Sequence, residues 1–180
     1  ANAYVQPLTR HYIDVIERQL SDMGYGRRLF LMISSGGITT SETAKEFPIR
    51  MVESGPAAGV LAATYYGRNM GLDRMVTFDM GGTTAKIGLV KDHQATKASV
   101  IEVGRVKRFM KGSGLPIRVP VVELIEIGAG GGSIAQVDIL GLLKVGPRSA
   151  GADPGPACYG RGGENPTVTD ADVILGYLDP

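Results

Sequence analysis

The placement of glycine restricts this chain more than any other feature. Glycine accounts for 26 of 180 residues, about twice the average usage of ~7%. Neither a collagen-like period nor a low-complexity tract absorbs the excess. The glycines gather in short clusters: Gly36-Gly37, Gly81-Gly82, Gly128-Ala129-Gly130-Gly131-Gly132 and Gly160-Arg161-Gly162-Gly163. A residue without Cβ is needed where backbone turns sharply or approaches another group closely. The clusters therefore mark places where main chain, rather than side chain, must meet something.

The remaining composition is ordinary and works mainly by exclusion. At 43% hydrophobic and 21% charged residues disorder is not the default, and no apolar run approaches the ~18 residues of a membrane span. A length of 180 residues suits one domain around one core. Nineteen basic against eighteen acidic residues leave a net charge of +1, too little field to draw in nucleic acid or an anionic membrane, so neither is expected as a partner. The single cysteine, Cys158, excludes an internal disulfide and a multi-cysteine zinc site and fits a reducing, cytoplasmic setting. The N-terminal Ala1-Asn2-Ala3-Tyr4 has neither an initiator Met nor an apolar leader, so a piece of a longer protein is expected.

Hydrophobic spacing gives an α/β order. Ile13, Ile16, Leu20 and Met23 recur at helical spacing, predicting a helix over 7–23 that Gly24 and Gly26 end. Leu29 to Ile33 reads as a short buried strand, Thr40 or Ser41 as the cap of a short helix running to Glu46, and Arg50 to Glu53 as extended. Ser54-Gly55-Pro56 opens a helix with a face of small residues. Met75–Asp79 and Ala85–Val90 are strands on either side of Gly81-Gly82. Between 91 and 118, Lys91, Lys97, Arg105, Lys107, Arg108, Lys111 and Arg118 face only Asp92 and Glu102; this is either a solvated strand pair or loop, or a local site for an anion. Val119 to Ile127 reads as a strand, 133–143 as a hairpin, and Gly146 to Gly163 as a long ordered loop. Thr169 or Asp170 would cap a last helix over 171–177, with Asp172 in its first turn.

The sharpest chemistry lies in Thr77-Phe78-Asp79-Met80-Gly81-Gly82-Thr83-Thr84-Ala85-Lys86. A carboxylate at a strand end, two glycines and then hydroxyl residues are what a phosphate-cradling turn requires: close approach, free N–H donors and a ligand for a hydrated metal ion. A plain β-hairpin would use Gly-Gly as well. The Gly-Lys-Ser/Thr ending of a Walker A loop is absent. The second cluster, Gly128 to Gly132 followed by Ser133, would let backbone approach a base, ribose or phosphate, but residues 133–145 do not read as the helix of a Rossmann site.

The sequence Glu53-Ser54-Gly55-Pro56-Ala57-Ala58-Gly59, followed by Phe78-Asp79-Met80-Gly81-Gly82-Thr83, resembles the second nucleotide-binding lobe of the actin, hexokinase and heat-shock chaperone ATPase superfamily. Ser34-Ser35-Gly36-Gly37, Gly128-Ala129-Gly130-Gly131-Gly132-Ser133-Ile134, Gly151-Ala152-Asp153-Pro154-Gly155-Pro156-Ala157-Cys158-Tyr159-Gly160 and Pro166-Thr167-Val168-Thr169-Asp170-Ala171 extend the likeness over nearly the whole chain. Together these motifs resemble the central part of the hydantoinase A/5-oxoprolinase family, whose relatives include acetone and acetophenone carboxylase subunits. The resemblance implies an RNase-H-like α/β lobe, residues 1–180 forming a single domain fragment whose facing lobe lies outside this sequence. It implies an ATP-dependent hydrolase of cyclic amides, with an acetone- or acetophenone-type carboxylase or a non-catalytic scaffold as alternatives. ATP, Mg or another divalent metal, a cyclic amide or ketone substrate, and a second subunit of the hydantoinase B type come with it, and a fragment lacking half its cleft would not turn over alone.

Carried over residue by residue, the resemblance makes Asp79 the catalytic and metal-side carboxylate. Gly81, Gly82, Thr83 and Thr84 become phosphate contacts, and Gly128, Gly130, Gly131, Gly132 and Ser133 lie near the nucleotide. Lys86 stands where many members carry Asp or Asn; it would either hold phosphate as a point charge or sit exposed on a strand. Ile125 stands where several members have His, which leaves the carboxylase alternative open. Cys158 has no Cys/His signature beside it and reads as a small buried loop residue. His11 and His93 read as surface or capping residues.

Overall fold

Helix α1 (Asn2–Asp22) opens the chain and buries Ile13 completely. It begins earlier than the spacing predicts. Pro7 looks like a first-turn residue, yet it lies inside the helix, because the preceding turn is held from outside. Asn2 Nδ2 donates to Glu46 O at 2.9 Å, Asn2 Oδ1 accepts from Ile49 N at 3.2 Å, and Gln6 Nε2 reaches Lys45 O at 3.2 Å. The computed structural model describes residues 1–104 and 112–179, so Arg105, Lys107, Arg108 and Lys111 of the basic run lie outside the described residues.

Strands β1 (Phe30–Met32) and β2 (Ile38–Thr40) form an antiparallel hairpin with Phe30 opposite Thr40. Phe30 is half exposed, so β1 is not the buried strand its apolar run suggests. Thr40 caps α2 (Ser41–Glu46), its hydroxyl accepting from Thr43 N at 3.4 Å. A 3-10 turn over Pro48–Met51 follows, where an extended piece was expected. Pro48 supplies a φ suited to a helical first turn. The fully buried Ser34 then holds the exit: its N–H and Oγ each lie 2.6 Å from Arg50 O, and Oγ lies 2.5 Å from Val52 O.

Helix α3 (Ser54–Asn69) buries Ala57, Val60, Thr64 and Gly67 along one face. Its small residues permit close packing, and a Cβ on Gly67 would run into the Met75 side chain. Strands β3 (Arg74–Met80) and β4 (Ala85–Lys91) follow as expected, with β5 (Gln94–Ala95) pairing with β4. Strand β6 (Lys97–Val103) pairs antiparallel with β7 (Leu115–Val122), Lys97 opposite Val122. Lys91, Lys97 and Arg118 are exposed, a solvated strand face where described. The strand expected over 119–127 is broken at Glu123, after which β8 (Leu124–Ile127) pairs with β4.

Strands β9 (Ser133–Val137) and β10 (Leu143–Ser149) make the last hairpin, so the expected hairpin runs on into the stretch read as loop. Helix α4 (Val168–Ile174) starts earlier than predicted. Thr167, not Thr169 or Asp170, is its cap, and a capping box with Asp170 fixes it there.

The contacts of the chain group into two compact units, residues 1–76 with 88–124 and residues 77–87 with 125–180. In the first, Ala57, Val60, Val90 and Val122 form a buried cluster against Met75, Ala95 and Leu124. In the second, the buried residues include Ala85, Ser133, Ile134, Pro156 and Thr167, and Ile134 bridges antiparallel to Thr167.

Candidate functional site

The second unit contains the candidate site residues. The β3–β4 turn is closed by Gly81 N donating to Thr84 O at 3.0 Å. Its outer surface is bare: Asp79, Gly81, Gly82 and Thr83 are exposed, and Thr84 is half-buried. The Asp79 carboxylate makes no hydrogen bond or ion pair among the described residues. The N–H groups of Gly82 and Thr83 likewise donate to no protein acceptor among the described residues. A turn with outward N–H groups beside an exposed carboxylate can receive a phosphate and a hydrated cation together.

The other glycine segment lies directly against this turn. Gly131 N donates to Gly81 O at 2.9 Å and Gly132 N to Gly82 O at 2.8 Å. A Cβ on Gly130 would stand 2.5 Å from Gly81 O and 2.7 Å from Thr83 C and Thr84 N. No L side chain fits between such backbone atoms, which explains the glycine. Gly130 N donates to the buried Ser133 Oγ at 2.9 Å, and Ser133 N returns to Gly130 O at 2.9 Å. The N–H groups of Gly130, Gly131, Gly132 and Ser133 are thus occupied by protein acceptors, and the segment braces the turn from behind. Carbonyl groups of the segment extend the brace: Gly131 O accepts from Thr169 N and Gly132 O from Ala150 N, both at 2.8 Å. Gly128 is half-buried at its start.

Lys86 is neither exposed nor idle. Its side chain is 11% exposed and its Nζ lies 2.9 Å from Glu126 Oε1. A half-buried lysine gains from such a partner. Sequence reasoning missed Glu126, since nothing local to Lys86 announces a residue on another strand.

Asp170 was also missed as an acceptor. Its carboxylate takes hydrogen bonds from Cys158 N at 2.7 Å, Thr167 N and Oγ1 at 2.8 Å, and Ala157 N at 3.4 Å. Burial pushes this carboxyl up, but the donors of Cys158 and Thr167 outweigh it and hold the group at about 2. The Thr167-x-x-Asp170 spacing was the available signal. Cys158 is exposed, correcting the buried reading; hydrogen bonding to Asp170, with some desolvation, pushes its thiol up. It is a poor nucleophile for that reason. His11 is exposed and His93 half-buried. Among the described residues no group of three or more His, Cys, Asp or Glu could hold a metal ion by itself, and no helix is long and apolar enough to cross a membrane.

Comparison with known proteins places these features in a context. Residues 1–180 match the family described as Hydantoinase/oxoprolinase. An uncharacterised protein of Methanocaldococcus jannaschii is 45% identical over 98% of this chain and 26% of its own length. The caprolactamase subunit alpha of Pseudomonas jessenii is 39% identical over 98% of this chain and 24% of its own. Among solved structures, the nucleotide-free acetone carboxylase, described in connection with ATP-dependent acetone carboxylation, aligns with a TM-score of 0.73 at 29% identity, covering 96% of this chain and 23% of that one. The chain therefore spans about a quarter of the length of these relatives.

Proposed function

The chain belongs to the hydantoinase/oxoprolinase family, and from that premise we propose that it supplies a nucleotide-binding lobe to an ATP-dependent enzyme that opens cyclic amides. The observation that carries the reading is the bare Asp79–Thr84 turn backed by the Gly130–Ser133 segment, with Gly130 lacking room for any side chain. ATP dependence is supported by the acetone carboxylase relative, and the cyclic amide by caprolactamase, whose named substrate is a lactam. The lobe is of the RNase-H-like kind, with β3, the glycine turn and β4 as its phosphate hairpin. Residues 1–180 act as one lobe, and the facing lobe belongs to the rest of a longer polypeptide, so the segment alone would be inactive.

The residues present fit the nucleotide and its cation. A single carboxylate is a poor cage for a metal ion, but it suits Mg, which keeps several waters and shares the phosphates. Asp79 would hold that hydrated ion. Gly82 and Thr83 would meet phosphate oxygens through main-chain N–H groups, and Thr83 and Thr84 through their hydroxyls, with Gly81 N closing the turn on Thr84 O, while Gly128, Gly130, Gly131, Gly132 and Ser133 keep the turn in place beside the nucleotide. ATP, when bound, supplies a phosphoryl group that makes an amide or enolate oxygen a better leaving or reacting centre. What the lobe contributes is positioning and charge neutralisation. The alpha-subunit name of the caprolactamase relative supports a second subunit in the working enzyme; that this subunit is of hydantoinase B type and that the enzyme is cytoplasmic belong to the same proposal.

A second reading, an ATP-dependent ketone carboxylase, is favoured by the acetone carboxylase alignment. The full-length enzyme with its partner subunit separates the two. ATP hydrolysis stimulated by a lactam or hydantoin is expected; stimulation only by a ketone with bicarbonate would move the assignment to carboxylation, and no stimulation by either would leave a scaffold. For the lobe itself, amide NMR titration with Mg·ATP is expected to shift residues 79–86 and 128–133 saturably.

A further inference from the structure

The Lys86–Glu126 pair bridges the two strands that frame the site. Lys86 is the second residue of β4, directly after the phosphate turn, and Glu126 stands near the end of β8, directly before the glycine segment. The strands are neighbours, β8 pairing with β4. Lys86 Nζ lies 2.9 Å from Glu126 Oε1, with the lysine side chain 11% and the glutamate 52% exposed. Ala85, directly before Lys86, and Gly88, two residues after it, are buried. The stem of Lys86 is largely covered, its head meets the Glu126 carboxylate, and such a cross-strand ion pair favours one register of the two strands over its alternatives. That register in turn determines how Gly130 meets Gly81, Thr83 and Thr84, because the turn and the segment are the immediate continuations of β4 and β8.

We propose that Glu126 is a positioning residue for the phosphate turn: by holding the Lys86 ammonium it keeps the bare N–H groups of Gly82 and Thr83 set for a phosphate. The proposal rests on the nucleotide-lobe reading. Its consequence is specific, because donors that bind phosphate equally in ground and transition states govern affinity more than turnover.

The test uses the full-length enzyme with steady-state ATP hydrolysis and thermal unfolding measured side by side. Glu126→Gln is expected to raise the KM for Mg·ATP by about tenfold while kcat changes less than about threefold. Glu126→Asp, which keeps the charge, is expected to recover most of the loss. The exchanged pair Lys86→Glu with Glu126→Lys should return KM to within about threefold of the parent, whereas Lys86→Met should not. If Glu126→Gln does not fold, Glu126→Asp and the exchanged pair carry the test. An unchanged KM in a folded Glu126→Gln, or a lower melting temperature with no change in KM, overturns the proposal. So does an exchanged pair as poor as Lys86→Met, since the ammonium itself would then be what the nucleotide needs. Asp79→Ala separates the two levels: parental ATP turnover by that variant refutes the nucleotide reading and this proposal with it. An inactive Asp79→Ala beside an indifferent Glu126→Gln refutes this proposal alone.

Discussion

At the residue scale, adjacent glycines carry different constraints. Gly130→Ala would place a Cβ against three backbone atoms at 2.5–2.7 Å, none of which can swing aside, and is expected to cost at least ~2 kcal/mol and abolish Mg·ATP shifts. Gly82→Ala meets nothing within 4 Å and is expected to stay within ~1 kcal/mol of the parent. Thermal unfolding of the two variants checks the contrast. Asp170 supports a pH prediction. Its folded-state group sits at about 2, below the ordinary 3.8, so its contribution to stability is complete above the ordinary carboxylate range and is lost as pH falls from about 4 towards 2. Asp170→Asn is expected to flatten that acid limb, to destabilise by about 1–3 kcal/mol at neutral pH, and to make Cys158 react faster with a thiol reagent at pH 8. An unchanged reaction rate would remove Asp170 as the cause of the raised thiol. The turn residues were legible in the sequence because two apolar strands around Gly-Gly announce themselves locally. Glu126 as partner of Lys86 and Cys158 as partner of Asp170 were not, because each comes from a segment more distant in sequence.

At the scale of elements, local chemistry read well wherever the cap or turn residue decided the matter. Thr40 capping α2, Pro56 opening α3 and the β3–β4 turn all follow from adjacent residues. Misreadings occurred where a remote group outvoted local preference. Asn2 and Gln6 hold the first turn of α1 ahead of Pro7; the start of α4, by contrast, was set by a local Thr167–Asp170 capping box that the reading passed over. Ser34 shows the same dependence as α1: besides its contacts with Arg50 and Val52, its carbonyl accepts from Val122 N at 2.7 Å. Ser34→Ala is expected to destabilise by about 1–3 kcal/mol, since buried carbonyls lose their hydroxyl donor. Urea unfolding measures this, and a change under ~0.5 kcal/mol would show that water replaces the hydroxyl.

At the scale of the whole molecule, the grouping of contacts depends on which distant segments meet, and composition is blind to that. The family was legible, through motifs that run in order over the chain. Residues 125–180 released as a separate peptide would lack Gly81 O and Gly82 O, the acceptors of Gly131 N and Gly132 N. Those amides are expected to lose hydrogen-exchange protection in the peptide and keep it in the 180-residue chain; equal protection in both would deny the brace its role. The backbone passes from one unit to the other after residues 76, 87 and 124, so each unit is assembled from two separate stretches of the sequence. In evolutionary language, no single recombination crossover can exchange either unit whole: a lineage that borrows the glycine segment without its turn inherits a support with nothing to hold, and the two are expected to descend together.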